Sequence, residues 1–182
     1  EGGGLAADFV LSPELTGGLQ ATRRNLKVPY IDFTGEVFFQ EQREDEASGY
    51  LYWLPSKKVS VSLEPRYQNL DKGATFDTMK LTEIPVALRF FSPSGLWIGA
   101  SVTGVKQSGA FDGSGGVVAE GSDSFWLVDA IVAYRLPRRM GTISLQGTNL
   151  LNEKFQFQEI DQSVPPRYVP EVRVLLRASL AF

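Results

Sequence analysis

Arg167-Tyr-Val-Pro-Glu-Val-Arg-Val-Leu-Leu-Arg-Ala-Ser-Leu-Ala-Phe182 closes the chain, and its alternation decides the fold. Tyr168, Pro170, Val172, Val174, Leu176, Ala178, Leu180 and Phe182 fall on one face, and Arg167, Arg173, Leu175, Arg177 and Ser179 on the other. Successive side chains of a strand point to opposite faces, so this period of two predicts a strand with an apolar side and an arginine-bearing side. Strands of soluble sheets run about 5–6 residues, whereas this pattern persists for about 15, the length of a tilted membrane-spanning strand with an extension.

The same alternation recurs upstream. Trp126, Val128, Ala130, Val132, Tyr134 and Leu136 alternate with Asp129, Ala133 and Arg135. Leu96, Ile98, Ala100 and Val102 alternate with Ser101 and Thr103, and Ile84, Val86, Leu88 and Phe90 with Glu83 and Arg89. Val59, Val61, Leu63 and Tyr67 alternate with Ser60, Ser62, Glu64 and Arg66. Short Pro-rich or basic connections (55–58, 92–95, 137–141) alternate with longer polar ones (27–36, 70–76, 108–124, 159–166). The pattern predicts an all-β, antiparallel up-and-down transmembrane barrel or barrel segment over residues 1–182. Eight strands are expected, at 14–27, 37–54, 58–71, 76–91, 95–107, 122–136, 141–158 and 167–182. Residues 1–13 read as an N-terminal tail or as part of one more strand, which would start the chain partway through a wall. No basic n-region and apolar h-region open the sequence, so no signal peptide is expected.

Composition narrows the chemistry. The chain has 182 residues, with no Cys and no His. Disulfides, thiolate nucleophiles, His-based triads and the usual zinc and non-haem iron sites are therefore excluded. A formal net charge of −3 argues against nucleic-acid binding, which favours a basic stripe. The acidic run Glu41-Gln-Arg-Glu44-Asp45-Glu46 reads as a solvated loop or strand end, and the Gly-rich 109–116 stretch has no following helix to make a phosphate cradle. We expect no catalytic residues, metal site or cofactor.

Two residue sets carry the functional expectation. Glu64, Arg66, Glu83, Arg89, Asp129, Arg135, Arg173 and Arg177 are expected on the inward face, pairing with one another or lining a lumen. Tyr50, Tyr52, Trp97, Trp126, Tyr134 and Phe182 are expected at the membrane interface, where an apolar ring with a polar tip is satisfied.

Beyond this patterning lies Ser124-Phe-Trp-Leu-Val-Asp129-Ala-Ile-Val-Ala-Tyr134-Arg135-Leu136, followed by Ile143-Ser-Leu-Gln-Gly-Thr-Asn149-Leu-Leu-Asn152-Glu-Lys-Phe155 and the arginine-bearing last strand. This resembles the last three strands of TonB-dependent receptors. The hairpin formed by 50–55 and 59–67 looks like one in receptor-like barrel proteins. The resemblance implies the C-terminal wall of a large outer-membrane barrel with transport or porin function. It also implies outer-membrane lipid around it, recognition of the strand ending in Phe182 by the barrel assembly machinery, and TonB as a partner where a plug lies upstream. Two other expectations stand beside it: a self-contained eight-stranded outer-membrane barrel with a structural or adhesive role, and a soluble β-barrel binding a small apolar ligand.

Overall fold

The structure, a computed structural model, describes residues 1–31, 34–71, 78–113, 117–155 and 171–180. One antiparallel sheet accounts for them. Its strands are β1 (Gly2–Ser12), β2 (Leu15–Ile31), β3 (Val37–Ser56), β4 (Val59–Leu63), β5 (Arg66–Asp71), β6 (Thr78–Phe91), β7 (Leu96–Gly113), β8 (Val117–Arg135), β9 (Gly141–Thr148) and β10 (Arg173–Leu180). Each strand pairs with its sequence neighbour, and β4 and β5 lie end to end between β3 and β6, so the sheet has nine columns. The up-and-down antiparallel expectation holds. Residues 1–13 are a strand rather than a tail: β1 pairs with β2 from Gly2↔Arg24 to Ser12↔Leu15.

The break between β4 and β5 has a local cause. Pro65 and Pro85 both lack an N–H, so the ladder loses donors on the two facing strands at one level. The remaining groups still pair, through Glu64 N–H to the Pro85 carbonyl at 3.1 Å and Gly49 N–H to the Pro65 carbonyl at 2.9 Å.

Three strand boundaries differ from the sequence expectation. The 108–124 stretch was expected as a loop, yet β7 and β8 continue through it in unbroken register from Lys106↔Ser124 to Gly113↔Val117. Gly and Ser there suggested a loop, but the ladder needs only backbone groups. Likewise β2 extends through the expected 27–36 connection to Ile31. The strand expected at 141–158 stops at Thr148, where Asn149 (φ 50) and Asn152 (φ 52) turn the chain in the left-handed region that Asn tolerates. The last strand is described over Arg173–Leu180, whereas Arg167, Tyr168, Pro170 and Phe182 lie outside the described residues.

Burial along the strands is inverted relative to a soluble sheet. On β6 the apolar Ile84, Val86, Leu88 and Phe90 are exposed, while Glu83, Ala87 and Arg89 of the opposite face are half-buried. The exposed row continues through Leu96, Ile98 and Val102 on β7, Trp126, Val132 and Tyr134 on β8, Ile143 and Leu145 on β9, and Val174 and Leu176 on β10. The polar face is the concave one. Asp8 of β1 and Thr103 of β7 line a single cleft, although five inter-strand steps of about 4.8 Å would hold them about 24 Å apart in a flat sheet.

Inversion ends at a defined level. Arg23, Asp45, Asn69, Lys80, Ser108 and Ser122 are successive register partners on the apolar side, and all are polar. Around this row the pattern reverses. Leu70 and Met79 just beyond it, and Leu81, Val105 and Phe125 just before it, are buried on the concave side, while Lys80 in the row and Lys106 and Ser124 before it point outward.

Aromatic rings pack closely over two of the glycines. A Cβ at Gly18 would stand 2.5 Å from the Tyr50 ring, and one at Gly104 would meet the Trp126 ring at 3.0 Å. We expect Gly18→Val to overpack this contact and cost about 1–3 kcal/mol. A urea titration of the refolded protein, followed by tryptophan fluorescence, checks it; an unchanged midpoint would mean that the ring moves aside freely.

Candidate functional site

All eight charged residues picked from the sequence lie on the concave face. Cross-strand register puts Arg89 opposite Ser60, Arg66 opposite Glu83, Asp129 opposite Ser101, Arg135 opposite Thr142, Arg177 opposite Ser144 and Arg173 opposite Thr148, all on the side away from the apolar row. Glu64 lines the same concave cleft as Arg66 and Glu83. They do not, however, form the mutual network that is one expectation for this set. Arg66 pairs with Glu46 at 3.7 Å, and Arg89 donates to the Ser62 hydroxyl at 3.5 Å. Asp129 is taken up by the turn after β9.

The aromatic set divides. Trp126 and Tyr134 stand on the exposed apolar face at the two ends of its row on β8. Tyr50 and Tyr52 lie on the opposite, concave face, because Leu51 and Trp53 between them pair with Leu63 and Val61 of the apolar side. Trp97 also faces inward, stacked at 6.2 Å on Phe91 near the short turn at 92–95. Proximity to a turn suggested an interface position for these three, but register decides the face. Phe182 lies outside the described residues.

A cleft of about 610 Å³ opens on the concave face. Asp8, Gln20, Ser48, Tyr50, Tyr52, Glu64, Arg66, Glu83 and Thr103 are among the side chains that line it. The Tyr50 hydroxyl donates to Asp8 Oδ1 at 2.7 Å, and the Tyr50 and Tyr52 rings lie 5.1 Å apart. Gly18 lets the Tyr50 ring lie flat on β2, a placement that no charge or aromatic count in the sequence signals.

A second construction closes the long-strand end. Asp129 Oδ1 accepts the Asn149 N–H at 2.8 Å, the Asn149 side chain bonds Glu153 N–H and carbonyl at 2.9 and 3.0 Å, and Leu150 N–H reaches the Val128 carbonyl at 2.8 Å. This knot turns the segment after β9 inward, so that Phe155 stacks on Phe125 at 3.8 Å over the Leu81–Val105–Phe125 cluster. Asp129 therefore anchors a turn.

At the polar rim Asp45 binds Arg23 at 2.5 Å and Arg43 at 3.2 Å. The Arg23 hydrogen bond, assisted by the charges of Arg23 and Arg43, holds the Asp45 carboxyl below its ordinary value of 3.8. Among the described residues no cluster of Asp and Glu is arranged to hold a metal ion.

Two outcomes follow. Asp129→Ala leaves the backbone N–H of buried Asn149 without its Asp129 acceptor and should cost about 1–3 kcal/mol, read as a lower urea midpoint, with Asp129→Asn recovering part of it. A depressed carboxylate stabilises the fold above its unfolded pKa, and the contribution is lost as pH falls through the folded value. The Arg23–Asp45 link should thus persist at neutral pH and fade only below the ordinary carboxylate range. In Arg23→Gln the Asp45 carboxyl should titrate higher by NMR; an unmoved titration would contradict the assignment.

Comparison with protein-family models, with curated proteins and with solved structures found no match for this chain.

Proposed function

We propose that this chain is wall of a transmembrane β-barrel in a bacterial outer membrane, with its concave polar face lining a route for solute passage or uptake. The observation that carries the reading is the switch of the hydrophobic side along single strands. On β8 the outward residues Trp126, Val128, Ala130, Val132 and Tyr134 are apolar, whereas outward Ser124 and Ser122 are polar and inward Phe125 is buried. A sheet in water has no reason to exchange faces partway along. One that leaves hydrocarbon for water must do so, because the better apolar solvent lies outside it at one level and inside it at the next. The height agrees: Trp126 to Tyr134 spans eight residue steps, about 27 Å along the strand and about 20 Å after a 35–45° tilt, against an apolar band of about 25 Å. The aromatic rings at both ends of this row match the girdles of such barrels.

Two alternatives fit less well. A soluble barrel holding a small apolar ligand wants an apolar interior, and here the cleft is lined by carboxylates, Arg66, tyrosines and hydroxyls. A self-contained eight-stranded barrel fits less well because the described residues form nine antiparallel columns, in which β1 and β10 run in the same direction and would not pair with each other by an antiparallel ladder. Receptor-like transport draws support from the bond joining Asp129 to Asn149, which links the two segments carrying the sequence resemblance. Engagement of TonB belongs to this reading only with a plug domain. Recognition by the assembly machinery would fall on the last strand and Phe182.

Placing arginine at the centre of the outward row tests the membrane. Ala130→Arg should cost about 2–4 kcal/mol of folding stability in lipid vesicles, whereas inward Ser101→Arg should cost far less. Vesicle refolding scored by heat-dependent gel mobility and urea midpoint measures both. Equal tolerance of the two substitutions would sink the membrane reading.

A further inference from the structure

Charge on the concave face falls into two regions, whose boundary on β6 lies between Glu83 and Arg89. On the β1–β6 side the cleft holds Asp8, Glu64 and Glu83, and its cation Arg66 is turned to Glu46. On the β6–β10 side stand Arg89, Arg135, Arg173 and Arg177, and the carboxylate in their midst, Asp129, is engaged by the Asn149 amide. Arg135 and Arg177 flank Thr142 and Ser144 of β9, which carry no opposing charge. The ion pairs at the rim (Arg23–Asp45, Arg24–Glu44) join β2 to β3 and leave this division intact.

We propose that the concave face is a bipolar surface selecting solutes that carry a cation at one end and an anion at the other. The proposal rests on the lumen reading above and adds the solute class. Spacing sets the size. Pro85, beside the Glu64 level, and Arg89 are four residues apart on β6, or about 14 Å along the strand. Screening at physiological salt decays over about 8 Å, so each charged arc acts only on the end of a solute close to it. A singly charged solute is therefore favoured by one arc and opposed by the other. An extended bipolar chain of about 10–15 Å, such as a short peptide with free termini, satisfies both.

The absence of native Cys makes the test clean. Single cysteines are placed in the full protein in lipid vesicles at Thr103→Cys (acidic arc), Ser144→Cys (basic arc) and outward Ala130→Cys. Modification rates are measured with a cationic and an anionic methanethiosulfonate. The cationic reagent should win severalfold at position 103 and lose severalfold at 144. Glu64→Gln/Glu83→Gln and Arg135→Gln/Arg177→Gln should each abolish the preference at its own arc alone. Tetraglycine with free termini should slow modification at both inward sites, and its N-acetylated, C-amidated form should slow neither. The same reagent preference at both inward sites, or equal protection by the two peptides, overturns the proposal. Rapid modification at position 130 by both reagents would instead overturn the membrane reading beneath it.

Discussion

Everything in this sheet follows from pairing a period-two chain through backbone hydrogen bonds. Each N–H and C=O of a strand flanked on both sides finds its partner on a neighbouring strand, because an unpaired backbone group taken out of water costs about as much as a lost hydrogen bond. Pairing fixes register, and register fixes the face on which every side chain stands. Outward positions between Ile84 and Phe90 on β6 and their register partners on β7 to β9 are apolar residues or glycine, while charged residues stand among the inward ones. Among the described residues six hydrophobics are buried, none below 1 % exposure, and all but Ala133 sit beside the row where the outward face turns polar.

Much of this was legible in the sequence. Alternation alone located the apolar-rowed parts of β6 to β10, because on these strands one side is apolar and the other is not, and it put Glu83, Arg89, Asp129, Arg135, Arg173 and Arg177 on the side away from that row. It failed where both sides are alike. Tyr50, Leu51, Tyr52 and Trp53 are all apolar or aromatic, so parity within β3 is ambiguous, and only pairing with β4 shows that Leu51 and Trp53 take the outward side. The 108–124 hairpin failed for the opposite reason, since outside the apolar belt neither face has to be hydrophobic and a strand loses its signature. The end of β9 was readable in principle. Asn149 and Asn152 bracket two leucines, a spacing of turn formers that the apolar residues between them obscured.

The odd number of columns bears on how the edges are satisfied. Both β1 and β10 expose an unpaired row of backbone groups among the described residues, and exposed edges in lipid are costly or prone to unwanted pairing. Two such sheets related by an axis along the membrane normal would set β1 of one beside β10 of the other, again in parallel. An antiparallel closure therefore takes an odd number of further columns between them, in keeping with the even totals of single-chain bacterial barrels.

The knot around Asn149 has a counterpart to this edge problem inside the wall. β9 ends after eight residues while its neighbour β8 runs on toward the rim, so the upper part of β8 would lose a ladder partner. The segment after β9 instead folds onto the concave side, with Leu150 N–H still bonded to the Val128 carbonyl and Asp129 holding the next amide. Phe155 then covers Phe125 at the level where the inner face has become the hydrophobic one. A charged side chain on the concave side thus serves the backbone at the point where β9 stops pairing with β8. Arg66 and Arg89 are engaged by Glu46 and Ser62, whereas among the described residues Arg135, Arg173 and Arg177 carry no ion pair, which leaves their charge available to whatever occupies the space they face.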